Sequence, residues 1–143
     1  MKKTKKKLYV GCAINNLSPD EREAFLRRIS KLKDSLRDHF EVLDFIGNVA
    51  APAEKVYEFD IDCVESADCM LAICNHPSTG MGYEMGTAIE KRNIPVLAVA
   101  HSESSVSRMI LGITHKRYRF ERYEQIEDIK ALAISMLGDE GIL

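Results

Sequence analysis

The chain has 143 residues, 45% of them hydrophobic and 29% charged, which is the size and composition of one ordinary globular domain. The formal net charge is −2 although five lysines stand among the first seven residues, so the rest of the chain is acidic. An acidic body argues against nucleic acid polymers as partners, and no apolar run approaches the ~20 residues of a membrane-spanning helix. We therefore expect a cytoplasmic protein that does not contact membranes.

The lysine-rich start is predicted to be a flexible tail over residues 1–7, ahead of a single domain over residues 8–143. The first strand is predicted over residues 8–14, which are mostly apolar. After this strand, Ser18 can cap a helix whose first position suits Pro19. Apolar residues then recur at helical spacing, which supports this helix.

Eight further segments continue the alternation of strands and helices. The strands are predicted over residues 41–46, 69–74, 94–100 and 117–120, and the helices over 52–67, 81–92, 104–111 and 123–137. The polar strand 41–46 suits a sheet edge, whereas the apolar strand 69–74 suits a position that is covered on both faces. Together they predict a doubly wound α/β domain of the flavodoxin or Rossmann-like class, with a mainly parallel five-stranded sheet.

The spacing of the cysteines and the lack of cofactor-binding motifs argue against metal, disulfide and nucleotide-cofactor sites. The four cysteines form no C-x-x-C pair, so they are predicted to be small buried side chains rather than metal ligands or disulfide partners. The sequence contains neither a P-loop nor a G-x-G-x-x-G motif after the first strand. We therefore expect no ATP, no NAD, no metal and no other cofactor.

The predicted fold indicates where a ligand binds. Open α/β sheets hold ligands beyond the carboxyl ends of their strands, where the strand order reverses. With a flavodoxin-like order this crevice lies between the first and third strands, beside the loops over 11–16 and 75–82. The second loop enters a helix through the motif PSTGMGYEMG at residues 77–86, and such a glycine-rich helix start commonly holds a small anion.

Glu84 lies inside this motif, at the predicted mouth of the crevice. A second negative charge would not help a site that only binds phosphate, whereas a nucleophile would be well placed there. As the alternative, an acid in the first turn of a helix is favoured by the helix dipole. Gly80 and Gly82, which permit close approach of a ligand, favour the catalytic interpretation.

Asp60 is the second carboxylate of interest, because on a helix it shares an otherwise apolar face with Val56, Val64 and Ala67. A buried acid without a partner is costly, so Asp60 is predicted to face a polar cavity or a partner. Two carboxylates in one cleft suit the cleavage of a glycosidic bond, one as nucleophile and the other as acid, if their pKa values differ.

The remaining candidates each allow two interpretations. Tyr9 is either a core tyrosine or a phenol that orients Glu84 through a hydrogen bond. Ser78 and Ser107 are either ordinary turn and helix serines or donors to a phosphate. Among the histidines only His76 lies near the predicted site, so a catalytic set built on histidine is not expected.

These features resemble the nucleoside 2-deoxyribosyltransferase superfamily, and most of all its branch of 2′-deoxynucleoside 5′-monophosphate N-glycosidases (Rcl-type hydrolases). The similarity covers nearly the whole chain and is most specific at residues 77–86 and 107–110, together with Tyr9, Asp60 and the Ala67-Asp68 pair. The resemblance implies the fold predicted above, a small nucleotide substrate and a homodimer.

The resemblance also implies roles for individual residues. Glu84 matches the nucleophile that attacks C1′ of the sugar, Asp60 the acid that contacts or protonates the leaving base, and Tyr9 a phenol of the pocket. Water then resolves the glycosyl-enzyme. Ser107 matches a serine that reaches the phosphate in the neighbouring subunit. The implied substrate-binding residues are Cys12, Ile14, Asn15, Ser78, Gly80, Gly82, Ser107 and Met109.

One loop departs from the family pattern. Where the family commonly has Gly-Ser-Ile-Arg, this chain has Cys-Ala-Ile-Asn at residues 12–15, and the missing arginine removes a bidentate grip on a phosphate. The predicted function is hydrolysis of a nucleotide N-glycosidic bond, with the base, the sugar type and the need for a 5′-phosphate left open. A deoxyribosyltransferase and a nucleotide-binding module without turnover are the alternatives.

Overall fold

The computed structural model describes residues 4–14, 16–44 and 51–143. In these ranges the strands are β1 (Lys6–Cys12), β2 (Phe40–Asp44), β3 (Cys69–Ile73), β4 (Val96–His101) and β5 (Tyr118–Tyr123). The helices are α1 (Pro19–Leu36), α2 (Ala53–Ser66), α3 (Thr79–Gly86), α4 (Arg108–Leu111) and α5 (Ile126–Leu137). A π-helical turn over Thr87–Lys91 follows α3 directly.

The sheet has the strand order β2-β1-β3-β4-β5, and every neighbouring pair is parallel. The prediction of a doubly wound, flavodoxin-like domain is therefore confirmed, including the edge position of β2. The order reverses between β1 and β3, whose last paired residues are Cys12 and Ile73. This end of the two strands marks the crevice that the fold offers to a ligand.

Several predicted boundaries were wrong by a few residues. Strand β1 begins at Lys6, and Lys6 and Lys7 pair with β2, so these two lysines belong to the sheet rather than to the tail predicted over residues 1–7. The remaining division into tail and domain stays a prediction. Helix α4 is a single turn. Strand β5 extends to Tyr123 at the edge of the sheet. Its charged residues lie at this exposed edge, and the Arg122 guanidinium lies 5.1 Å from the Phe120 ring centre. Residues 45 and 46 of the predicted second strand lie outside the described residues.

Two apolar layers enclose the sheet. Helices α1 and α5 pack on one face through residues such as Ile29, Leu36 and Ile129, and α1 starts at the predicted Ser18 cap, whose Oγ accepts from the Glu21 amide at 3.2 Å. Helices α2 and α3 lie on the opposite face. Strand β3 is buried along its whole length, as predicted for a strand that is covered on both faces.

Thiols, clusters of possible metal ligands and helix lengths can be reported for the described part of the chain. All four cysteines are free thiols. The described residues contain no group of three or more side chains placed to hold a metal ion. Of the helices in residues 4–14, 16–44 and 51–143, none combines the length and the apolar character needed to cross a membrane.

Candidate active site

A tyrosine and a glutamate meet at the carboxyl end of β1. The Tyr9 phenol donates a hydrogen bond to Oε1 of Glu84 over 2.8 Å. Tyr9 is only 1% exposed, whereas Glu84 is half-buried, so the carboxyl group reaches the surface of the crevice while the phenol supports it from inside. Burial, followed by the charge of Glu84, raises the pKa of Tyr9, and the phenol therefore remains a proton donor at neutral pH.

Asp60 joins this pair from α2. The carboxyl groups of Asp60 and Glu84 are both half-buried and lie close enough to change each other's pKa. The pKa of Glu84 is raised to about 7, mainly by burial and to a smaller extent by the charge of Asp60, against the opposing effect of the Tyr9 hydrogen bond. Burial also raises the pKa of Asp60, in part offset by its hydrogen bond with Glu84. Both carboxyl groups are therefore harder to ionise than free acids, as expected for two acids that lie close together in a partly buried site.

Glycine in β1 permits this approach. A Cβ atom on Gly11 would lie 3.1 Å from Sδ of Met81 and 3.3 Å from Cε of Met70, which is closer than side chains normally pack. Gly11 lies two residues after Tyr9 on the same side of β1, and Met81 precedes Glu84 by about one helical turn. Gly11 therefore lets α3 lie close to the strand that carries Tyr9, a role that sequence analysis missed.

The glycines of α3 are not required by packing against the described residues. Among these residues, a Cβ atom on Gly82 or Gly86 would meet nothing within 4 Å, and one on Gly80 would meet only Oγ of Ser78 at 3.8 Å. Glycine inside a helix costs about 1 kcal/mol relative to alanine. The motif therefore keeps one side of α3 open at a cost in stability, as expected where a ligand or another molecule comes close.

The predicted serines both act as helix caps. Ser78 Oγ accepts from the Met81 amide at 3.1 Å, and Ser107 Oγ accepts from the Met109 amide at 3.3 Å. Each hydroxyl proton stays available to a ligand, since these bonds use only the oxygen. Within the described residues no hydrogen bond joins Ser107 to the carboxylate cluster, and Met109 is 81% exposed.

The first loop contributes little polar chemistry of its own. Cys12 is half-buried, and burial raises the pKa of its thiol to about 11, so it is not a reactive thiolate. Ala13 and Ile14 are buried. Asn15, the fourth residue of the departing loop, lies outside the described residues.

One further residue near the cluster was not singled out from the sequence. Cys63 follows Asp60 by about one helical turn, and its thiol lies close enough to raise the pKa of Tyr9. The spacing from Asp60 was the signal that could have identified it. His76, by contrast, packs edge-on against Phe25 at 5.9 Å between ring centres and has no hydrogen bond to the cluster among the described residues.

A separate groove of about 890 Å³ opens between α1 and α5. Its lining includes Asn75, His76, His101 and Tyr123 but none of the three clustered residues. Asn75 fills a structural role there, because it donates to Tyr123 Oη at 2.5 Å and accepts from the His101 amide at 2.9 Å. The chemistry-bearing side chains thus lie on the α2–α3 face rather than in this groove.

Comparison with known proteins points to one family. No family model matches the chain. Over 100 residues, 66% of this chain and 68% of the relative, it is 37% identical to a candidate 2′-deoxynucleoside 5′-phosphate N-hydrolase 1 of Syntrophotalea carbinolica. A protein of the same name from Methanococcoides burtonii is 43% identical over 61 residues. This match covers 43% of this chain and about half, 49%, of the relative. A 5-hydroxymethyl-dUMP N-hydrolase of Tetraodon nigroviridis is 29% identical over 100 residues, 65% of this chain and 70% of the relative.

Solved structures extend the comparison to the fold. The Clostridium botulinum CMP N-glycosidase BcmB superposes with a TM-score of 0.66 at 18% identity, over 89% of this chain and 96% of that one. The 2-desoxiribosyltransferase from Leishmania mexicana gives a TM-score of 0.63 at 17% identity, over 90% and 97%. Identities this low establish a shared fold, while the curated relatives establish the closer kinship. The chain belongs to the 2′-deoxynucleoside 5′-phosphate N-hydrolase family.

Proposed function

We propose that this protein hydrolyses the N-glycosidic bond of a 2′-deoxynucleoside or nucleoside 5′-monophosphate, releasing the free base and the sugar 5-phosphate. The observation that carries this proposal is the cluster of Tyr9, Asp60 and Glu84, in which two half-buried carboxyl groups with raised pKa values lie beside a phenol donor. The names of the curated relatives support the same reaction.

In the first step Glu84 acts as the nucleophile. After the proton of the carboxyl pair has passed from Glu84 to Asp60, the ionised Glu84 carboxylate accepts the Tyr9 hydrogen bond and attacks C1′ of the sugar. The bond between C1′ and the base nitrogen breaks, its electron pair stays with the base, and Asp60 supplies the proton that neutralises it. The products of this step are the free base and a glycosyl ester of Glu84.

In the second step water cleaves the ester. Its oxygen attacks C1′ on the face that the base has left, and the bond from C1′ to the Glu84 oxygen breaks. The Asp60 carboxylate takes the proton of the water and is ready for the next cycle. Two displacements at one carbon retain its configuration, and the sum is nucleotide plus water to base plus sugar 5-phosphate.

This mechanism needs one proton on the carboxyl pair. Above the pKa of about 7 both carboxyl groups are ionised, so Asp60 has no proton to give. At pH values below the raised pKa of Asp60 both are protonated, and Glu84 cannot attack. We therefore expect kcat/KM to fall on the alkaline side of pH 7 and again in acid.

The proposal includes a homodimer formed through the α2–α3–α4 side of the molecule. Except for Ile142, the exposed large apolar side chains of the described residues belong to these helices: Val56, Tyr57, Phe59, Tyr83, Met109 and Leu111. The rings of Tyr57 and Tyr83 contact each other across α2 and α3, with centres 6.1 Å apart. An apolar patch of this kind supports an interface, and we propose that Ser107 reaches the partner's site.

The test of the function is release of base from nucleosides and 5′-monophosphates, ribo and deoxy, with and without an added acceptor base. We expect release from monophosphates without acceptor. Exchange that requires the acceptor would instead identify a transferase, and no reaction in either arm would leave a binding module. In Asp60→Asn, which lacks the acid, a substrate with a leaving group that needs no proton should still react, and mass spectrometry should then find the sugar on Glu84. Asp62→Asn, which changes an exposed acid of the same helix, is the matched control.

The shared site has its own test. A mixture of Glu84→Gln and Ser107→Ala subunits forms mixed dimers in which one site combines an intact Glu84 with an intact Ser107 from the other subunit. If Ser107 acts across the interface, mixing restores activity above that of either variant alone. If the activity of the mixture is only the average of the activities of the two variants, Ser107 acts within its own chain or not at all.

A further inference from the structure

Arg22, in the second turn of α1, carries a buried donor without an acceptor. Its Nε atom is buried and makes no hydrogen bond. The guanidinium also forms no ion pair with any described residue, so the whole head group is unpartnered there. Arg92 has a similar Nε atom, but its Nη2 donates to the Ala67 carbonyl at 3.1 Å. Buried polar groups nearly always have partners, and an exception needs a physical reason.

The Arg22 side chain is half-buried although exposed acidic residues lie next to it in the sequence. Arg22 lies two helical turns before Ile29, which is 1% exposed and packs on the sheet, so both residues share the inner face of α1. Three acids flank it in the sequence, at positions 20, 21 and 23, and all are exposed. Glu23 pairs with Arg27 instead, at 2.6 Å. Arg22 therefore occupies a half-buried position in which it forms no ion pair with a described residue, although exposed acids are close to it in the sequence.

The topology places the start of α1, and with it the backbone of Arg22, near the end of the sheet where the crevice lies. Helix α1 begins soon after β1 ends, so its first two turns lie beside the carboxyl ends of β1 and β3, where the strand order reverses. The Ser78 hydroxyl caps α3 at the same end of the sheet. In the loop after β1, the buried Ala13 and Ile14 supply no positive charge. An inward guanidinium is thus available to an anion at this end of the sheet.

We propose that Arg22 is the residue that binds the 5′-phosphate of the nucleotide, an inference that rests on the proposed function. A phosphate dianion accepts paired N–H bonds from one guanidinium and would satisfy the Nε donor that the protein leaves open. Ser78 would add a neutral donor from α3. The arginine would then set the preference for monophosphates over nucleosides.

Calorimetric titration with 2-deoxyribose 5-phosphate tests this contact without requiring turnover. We expect Arg22→Gln to weaken binding about tenfold or more, since hydrogen bonds to a charged group contribute about 1.5–3 kcal/mol. Arg22→Lys keeps the charge but loses the planar fork, and should recover part of the affinity. The control Arg27→Gln removes an exposed arginine of the same helix and should leave affinity unchanged. Equal affinity of wild type and Arg22→Gln would overturn the proposal.

Kinetics separate a phosphate contact from a structural role. In base release, Arg22→Gln should raise KM for a monophosphate and leave kcat/KM for the matching nucleoside unchanged. An equal loss for both substrates would mean that Arg22 only shapes the site, which also overturns the proposal. Arg22→Gln should melt no lower than wild type without ligand, because it removes an orphan donor.

The two proposals can fail separately. Phosphate binding that depends on Arg22, together with no base release from any substrate, would support this inference and remove the proposed function. Base release with the same monophosphate preference in wild type and Arg22→Gln would support the proposed function and remove the inference about Arg22.

Discussion

On one face of the sheet, α1 and α5 bury an apolar stripe from each helix, and α1 has a serine cap and a proline at its first position. On the other face, α2 buries only Val64 fully, and the short α3 contains three glycines and runs into a π-helical turn. Large apolar side chains such as Tyr57, Phe59 and Tyr83 remain exposed there. The first face follows the rules that stabilise a fold, and the second departs from several of them.

The departures converge on Glu84. Its carboxyl group is half-buried beside another acid, the helix that carries it is open on one side, and a side chain at Gly11 would crowd Met81 of that helix. Each feature lowers stability, and together they place an acid with a pKa of about 7 at the surface of a crevice. Natural proteins tend to break the rules of stability where function requires it, and this contrast supports our proposal that the catalytic groups lie on the α2–α3 face.

The largest expected effect comes from Glu84→Gln. Loss of the nucleophile should lower base release by ~10³-fold or more, because no glycosyl ester can form. The measurement is single-turnover base release at neutral pH. Glu90→Gln, an exposed acid of the π-helical turn, should retain full activity. Activity of Glu84→Gln within tenfold of wild type would contradict the assignment.

A pair of alanine variants compares the two faces directly. Ile29→Ala on α1 should lower the free energy of unfolding by about 2–5 kcal/mol, because it opens a cavity in a packed core. Val56→Ala on α2, where the side chain is 40% exposed, should change it by less than about 0.5 kcal/mol in the monomer. Urea unfolding measures both. Similar losses at both positions in a dilute, monomeric sample would mean that the α2 face is packed as tightly as the α1 face.

The third prediction concerns stability and pH. The pKa of Glu84 rises from 4.5 to about 7 on folding, so the folded state binds this proton more tightly than the unfolded state. The resulting stabilisation is complete below pH 4.5 and is lost as the pH rises to about 7. Glu84→Gln, which does not titrate, should therefore be more stable than wild type at pH 8 by about 1–3 kcal/mol, with a smaller gain at pH 5. An equal difference at both pH values would show that the carboxyl group is not perturbed by folding.

Sequence patterns sufficed for the fold because its elements are locally specified. The helix start at Ser18 and the apolar strand 69–74 were both placed by short-range signals, and alternation then fixed the topology. The chemistry was harder to predict. Asp60 and Glu84 could be nominated from helical faces and from the strand-order rule, but their raised pKa values depend on burial and distance, which no local pattern carries. Gly11 and Arg22 escaped notice for the same reason, since their roles lie in contacts between distant segments.

The smallest expected effect comes from Tyr9→Phe, which keeps the buried ring and removes only the hydrogen bond to Glu84. That bond lowers the pKa of Glu84, so its loss should raise the pKa above about 7 and hold the proton of the carboxyl pair on Glu84 rather than on Asp60. We expect kcat/KM at neutral pH to fall about tenfold, equivalent to about 1.4 kcal/mol, and its alkaline decline to move to higher pH. A lower rate with an unshifted profile would mean that Tyr9 supports the position of Glu84 but not its protonation, and the contrast between the two faces would then rest on packing alone.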